Sequence, residues 1–150
     1  NCWHPVGRAC VLGRGAVIAT LLDEQLVIYR INGQVVVARD VCPHRGVPLT
    51  LGFHDEHGII CPYHGLRFGE DGRCNRIPSS PDQPVPAKLN LINFAVEERF
   101  GLIWTCLAFD PDNPVPLPAM PHWDDDGFQQ INCPAFEVNG FAGRQVELFL

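Results

Sequence analysis

Four side chains able to bind a transition metal fall in two short segments: Cys42 and His44 in "CPHRGVPL" (42–49), Cys61 and His64 in "CPYHGLRF" (61–68). The spacing is C-x-H, sixteen intervening residues, then C-x-x-H. Thiolate with imidazole selects zinc, copper or the iron of iron–sulfur clusters, and is a poor set for magnesium or calcium. Each Cys-His pair is too closely spaced to share a regular element, so both are expected on loop tips. Gly46 and Gly65 follow the histidines, where a Cβ would block turns and close approaches. Loops that wrap a cofactor need such freedom to aim backbone N–H groups inward at sulfur. Pro43 and Pro62 stiffen the chain where the thiols leave their strands. A structural zinc site remains an alternative, although Cys₂His₂ zinc sites usually segregate a C-x₂₋₄-C pair from an H-x₃₋₅-H pair, whereas each loop here supplies one of each.

The loops require short, rigid elements on either side, and the local patterns provide them. "LVIYRINGQVVVARD" (26–40) is two β-rich runs around Asn32-Gly33, a dipeptide suited to a tight hairpin turn. "AVIATLL" before it reads as another strand. "GIICPYH" puts Cys61 at the end of an apolar strand, and "LRFGEDGRC" reads as a hairpin turning at Asp71-Gly72. "RIPSSPDQPVP" holds four prolines in eleven residues and is expected to be an irregular, exposed loop. "LINFAVEERFGLIWTCL" reads as strand, turn near Arg99 to Gly101, and strand. About seven short strands and no helical period before residue 107 predict an antiparallel sandwich or small barrel. The Pro- and Asp-rich stretch that follows cannot be sheet interior. "FQQINCPAFEVNG" looks strand-like, and "GRQVELFL" opens a helix with Val146, Phe149 and Leu150 on one face.

The mixed loops resemble the Rieske [2Fe–2S] motif. The resemblance implies that Cys42 and Cys61 bind one iron and His44 and His64 the other. Two ferric ions, two sulfides and two thiolates sum to zero charge, against −2 with four thiolates. An electron is then more easily added, with potentials of roughly −150 to +300 mV against about −400 mV for plant-type clusters. Reduction makes the site more negative and raises the proton affinity of the histidines. Arg45, Gly46, Tyr63 and Gly65 would form the surroundings of the cluster and its electron exit. The extra loop cysteines of respiratory Rieske proteins are missing, since Val47 and Tyr63 stand there. Their serine after the second histidine is also missing, since Leu66 follows Gly65. Fewer donors to sulfur place the expected potential at the low end, about −150 mV.

"CPYHGLRFGEDGRC", with "WHPV" at 3–6 and "GLIWTCL" at 101–107, is similar to the terminal (alpha) subunits of Rieske non-haem iron aromatic-ring oxygenases, and the "HGL-F" form to the vanillate and dicamba O-demethylase branch. The implied architecture is all-β: a Rieske-type antiparallel β-sandwich with a small cluster-binding subdomain of two loops, at 1–110. A connector at 111–127 and the beginning of a truncated α+β helix-grip catalytic domain at 128–150 would follow. Glu147 would precede the Asp that bridges the two metal sites. The mononuclear Fe(II), its ligands and the substrate pocket would all lie beyond Leu150, so no catalytic residue is expected within the chain. The implied partners are a reductase or ferredoxin donor and a neighbouring subunit, as a homotrimer. A free-standing Rieske ferredoxin is the competing reading, against which the stretch after "GLIWTCL" argues.

Composition narrows the remaining classes. A net charge of −6 without a basic run is unsuited to nucleic acid or anionic membranes. No apolar run reaches a membrane span. Seven cysteines in a chain with an ordinary apolar fraction fit a reducing cytoplasm better than a disulfide framework, and the family resemblance implies a bacterial one. The chain opens on Asn1 rather than Met, which points to a trimmed start, so the lack of a leader has little weight. Cys2, Cys10, Cys74, Cys106 and Cys133 read as buried free thiols. His4, His54, His57 and His122 read as surface or loop hydrogen-bonders, and "WDDDG" (123–127) as an acidic turn or helix start.

Overall fold

The computed structural model describes residues 1–13, 15–131, 133 and 137–149. The chain divides into two compact units, Asn1–Ala119 and Met120–Leu150.

The described residues of the first unit form ten antiparallel strands in two sheets. The larger sheet has β1 (His4–Arg8), β2 (Val17–Leu21), β3 (Glu24–Ile31), β4 (Gln34–Arg39), β9 (Asn93–Arg99) and β10 (Leu102–Cys106). Their order is β1-β10-β9-β4-β3-β2, and its two edges, β1 and β2, lie in contact, curling the sheet into a barrel. The smaller sheet runs β5 (Phe53–Asp55), β6 (Gly58–Ile60), β7 (Arg67–Phe68), β8 (Cys74–Arg76). The Asn32-Gly33 turn joins β3 to β4 with φ of 49° and 85°, as expected for this dipeptide. Phe100-Gly101 turns β9 into β10 at φ 57° and 68°.

The β3–β4 hairpin is buried on both faces, because side chains alternate across a strand. Leu26, Ile28 and Val37 face the barrel interior with Leu12 and Ile103. Val27, Tyr29, Ile31, Val36 and Ala38 face the other way, against Ile59, Phe68, Cys42 and Cys61 of the small sheet and its loops. This hairpin is therefore the shared wall on which the Cys-His loops rest.

Three features depart from the sequence reading. Strands β1 and β5 were not legible: β1 contains Pro5 and Gly7 and is paired with β10 through a register shift, and β5 is three residues long. The proline-rich loop is not simply exposed, since Ile77 and Val85 pack on the core. In the second unit, the described residues of 128–140 form no strand, since no partner strand pairs with them. There, Asp125 Oδ1 accepts the Gly127 N–H at 2.9 Å, making "WDDDG" an acidic turn, and a helix α1 covers Ala142–Phe149. The side chains of Val146, Phe149 and Leu150, the expected apolar face, are not among those described. No helix among the described residues is long and apolar enough to cross a membrane.

Candidate metal centre

The first Cys-His loop leaves β4 and the second leaves β6, and the two share one backbone design. The Cys42 N–H donates to the Val47 carbonyl at 2.9 Å, and the Gly46 N–H returns to the Cys42 carbonyl at 2.8 Å. In the second loop, Cys61 N–H donates to Leu66 at 2.9 Å and Gly65 N–H to Cys61 at 3.0 Å. Both loops turn through a glycine in the left-handed region, Gly46 at φ 73° and Gly65 at φ 70°. A side chain at either position would be strained. The glycines thus hold the left-handed corner that each loop needs.

The donors fall into two pairs. Cys42 and Cys61 are both buried, and Cys61 is close enough to act on the Cys42 thiol. His44 and His64 are exposed, with ring centroids 4.8 Å apart. Among the described residues, no three His, Cys, Asp or Glu side chains are grouped as a single ion would need. Burial pushes the Cys42 thiol up to about 11; the His44 and Arg45 N–H groups directed at its sulfur oppose this, and the neighbouring Cys61 adds to it. A thiol held protonated at neutral pH must lose its proton to bind a metal, so loading releases protons and is favoured as pH rises. The N–H groups aimed at sulfur are those a cluster's thiolate ligand requires. Two buried, neighbouring cysteines and two paired imidazoles are the donor set of a cluster that takes sulfur at one metal and nitrogen at the other.

The surroundings are asymmetric. Behind the cysteines lie Tyr29, Leu49, Phe68 and Ile59, all fully buried. In front, His44 and His64 open onto a pocket of about 270 Å³ walled by Leu66, Ile77, Pro78 and Leu89. Tyr63, exposed, lays its ring against His64 with centroids 3.8 Å apart. Arg45 is exposed and forms no ion pair among the described residues.

One positioning contact was missed. Asp40, only 3% exposed, accepts hydrogen bonds from the Thr50 N–H at 2.9 Å and the Thr50 hydroxyl at 2.6 Å. These two residues bracket the first loop and close its base. The only signal in the sequence was an acid two residues ahead of Cys42. Other expectations are corrected. Cys74 and Cys106 are buried, but Cys2, Cys10 and Cys133 are exposed, since the first two sit on the N-terminal strand's margins and Cys133 beyond the compact first unit. His54 is not a satisfied hydrogen-bonder, because its Nε2 is buried without a partner among the described residues. His57 is exposed beside Glu56 at 3.5 Å, His122 is exposed beside Asp125 at 3.6 Å, and His4 is half-buried on β1.

An antiparallel β protein with paired Cys-His loops above a buried hairpin carries the donor set of an iron–sulfur protein. Residues 2–93 match the family described as the Rieske [2Fe-2S] domain, and the chain belongs to it, as the Rieske domain of Rieske oxygenase alpha subunits. It is 38% identical to the methylxanthine N1-demethylase NdmA of Pseudomonas putida over 72% of this chain and 33% of that protein. It is also 38% identical to the vanillate O-demethylase oxygenase subunit of Pseudomonas sp. (strain HR199 / DSM 7063), over 84% of this chain and 35% of that one. A solved dicamba monooxygenase with non-heme iron and dicamba superposes with a TM-score of 0.75 at 35% identity, covering 84% of this chain and 39% of that chain. The chain thus spans little more than a third of the length of these relatives.

Proposed function

We propose that this chain is the electron-transfer part of a multicomponent oxygenase, with Cys42 and Cys61 holding one iron of a [2Fe–2S] cluster and His44 and His64 the other. The observation that carries the ligand assignment is the pairing of buried thiols with thiols and exposed imidazoles with imidazoles. A cluster held there supplies reversible one-electron transfer. The protein's part is positional. Tyr29, Leu49, Ile59 and Phe68 exclude water from the sulfur side. The His44 and Arg45 N–H groups stabilise negative charge on the Cys42 sulfur. His44 and His64 present the outward edge through which electrons enter and leave.

The electrons come from a reductase or ferredoxin and go to a mononuclear non-haem iron carried by the rest of the full-length protein, in a neighbouring subunit of a homotrimer. There O₂ is activated for hydroxylation, dihydroxylation or O-demethylation of an aromatic or related substrate. Similarity to demethylase oxygenase subunits supports demethylation among these. The test is anaerobic reduction of the full-length protein. A rhombic electron-spin signal with average g below the free-electron value is expected, and it should disappear in Cys61→Ala. A colourless zinc protein without acid-labile sulfide would sink the reading.

A further inference from the structure

The first Cys-His loop leaves β4 of the larger sheet and the second leaves β6 of the smaller one, so a four-donor site needs the two sheets fixed against each other. A strap of four residues, 90–93, runs between them. On one side it grips the β7–β8 hairpin at three points. Asn90 Oδ1 accepts the Cys74 N–H at 3.2 Å, the Leu91 N–H donates to the Gly72 carbonyl at 2.8 Å, and Asn93 Nδ2 donates to the Glu70 carbonyl at 2.9 Å. On the other side the Ile92 carbonyl accepts the Arg39 N–H at 2.9 Å, and Asn93 lies opposite Ala38 in the β9–β4 pair. Arg39 ends β4 three residues before Cys42. Leu91, in the middle of the strap, belongs to the same buried cluster as Cys42 and Cys61. The fit is close: a Cβ on Gly72 would stand 2.7 Å from Asn93 Oδ1.

Strand β8 is an outer edge of the small sheet, so its outward N–H groups have no strand to pair with. The Asn90 amide stands in for that missing strand at Cys74, and the Asn93 amide does the same for the turn at Glu70. From the hairpin the restraint reaches the second loop. β8 runs beside β7, and Pro78, two residues beyond β8, abuts the loop corner: a Cβ on Gly65 would stand 3.1 Å from Pro78 Cγ. Leu89, just ahead of the strap, walls the pocket onto which His44 and His64 open. We propose that Asn90 and Asn93 are positioning residues for the cluster. Their side-chain amides latch the hairpin that follows the second ligand loop to the strand that leads into the first, and so fix Cys61 and His64 against Cys42 and His44. The inference rests on the cluster reading above. Strands of two or three residues cannot hold such a spacing alone, and groups beyond the ligands set how the ligands meet a metal.

The test uses the full-length cluster-loaded protein. Three readouts are followed: the half-life of visible absorbance under chelator challenge, the electron-spin signal of the reduced cluster with its histidine-nitrogen couplings, and the melting temperature. Asn90→Ala and Asn93→Ala should each shorten the half-life about 3- to 10-fold, the loss of one hydrogen bond from a locally opening hairpin. Both should also broaden the spin signal and change the nitrogen couplings. Asn90→Asp keeps the acceptor for the Cys74 N–H and should restore half-life and line shape. Gly72→Ala, which drives the hairpin off Asn93, should act in the same direction as Asn93→Ala. Because the two change one contact, their effects should combine to less than the product of the separate fold-changes. Ile28→Val, in the barrel interior, should lower the melting temperature comparably and leave half-life and spin signal unchanged. An unaltered spin signal in both Ala variants overturns the latch while leaving the cluster reading intact. So does an equal shortening of the half-life by Ile28→Val, because it reduces the strap to general stability. An unmodified protein that holds no cluster overturns both readings.

Discussion

The two sheets of the first unit solve different problems. The six-stranded sheet has strands of five to eight residues, closes toward a barrel and fills its interior with side chains from all six strands. The four-stranded sheet has strands of two or three residues, too short to be stable alone. It is held by packing Ile59 and Phe68 against Val27, Tyr29 and Val36, and by polar ties at its margins. Arg67 reaches Asp55 at 3.3 Å and Asn75 at 2.9 Å, and Asn75 reaches the His57 carbonyl at 3.0 Å. The barrel supplies stability, and the small sheet borrows it to present two loops. Damage to the barrel should therefore unfold everything, whereas damage to the small sheet should release the metal first.

The largest separation of the two regions is expected from Cys61→Ala. Visible absorbance should vanish, while far-ultraviolet circular dichroism retains the barrel signal. Loss of both would show that the barrel depends on the metal and would break the comparison.

Truncation in each core comes next. Ile28→Ala, in the barrel interior, should cost about 2–5 kcal/mol and Phe68→Ala about 3–5 kcal/mol. Denaturant unfolding should give a single transition for Ile28→Ala. For Phe68→Ala, cluster bleaching should precede loss of circular dichroism. Coincident transitions in both variants would mean the sheets form one cooperative block.

A smaller effect is expected at the base of the first loop. Thr50→Val removes one donor from the buried Asp40 carboxylate and should cost about 1–3 kcal/mol. The cluster half-life under chelator challenge should shorten more than the melting temperature falls. An unchanged half-life would remove Asp40 and Thr50 from loop positioning.

The smallest effect concerns the rim of the small sheet. Burial pushes the Asp55 carboxyl up, but hydrogen bonds from the His57 N–H and the Arg67 guanidinium, with the Arg67 charge, outweigh it and hold the pKa below its ordinary value. The stability this adds is present above the ordinary carboxylate value and lost as pH falls through the lowered one. The pair is partly exposed, so Asp55→Asn should cost less than about 1 kcal/mol at neutral pH. That difference should shrink in acid; a constant difference from pH 7 to the acid limit would contradict the assignment.

Legibility followed the range of the interactions involved. Asn32-Gly33 specified its hairpin because the conformation is chosen within two residues. Gly46 and Gly65 marked the loop corners for the same reason. β5 and the bulged β1 were missed because they exist only through pairing with β6 and β10. The exposure of Cys2, Cys10 and Cys133 was misread because a cysteine's preference for burial is an average over many neighbourhoods. The orphaned His54 Nε2 and the Asp40–Thr50 contact depend on partners that no local pattern specifies.

Residue type and spacing by themselves determined the chemistry available here: two thiols and two imidazoles on glycine-cornered loops, joined to short antiparallel strands. Only the tertiary structure decided that the thiols lie together under a buried hairpin and the imidazoles together at an open rim. The reason is that donor chemistry belongs to individual side chains. Burial and pairing arise instead from surfaces that folding brings together from distant parts of the chain.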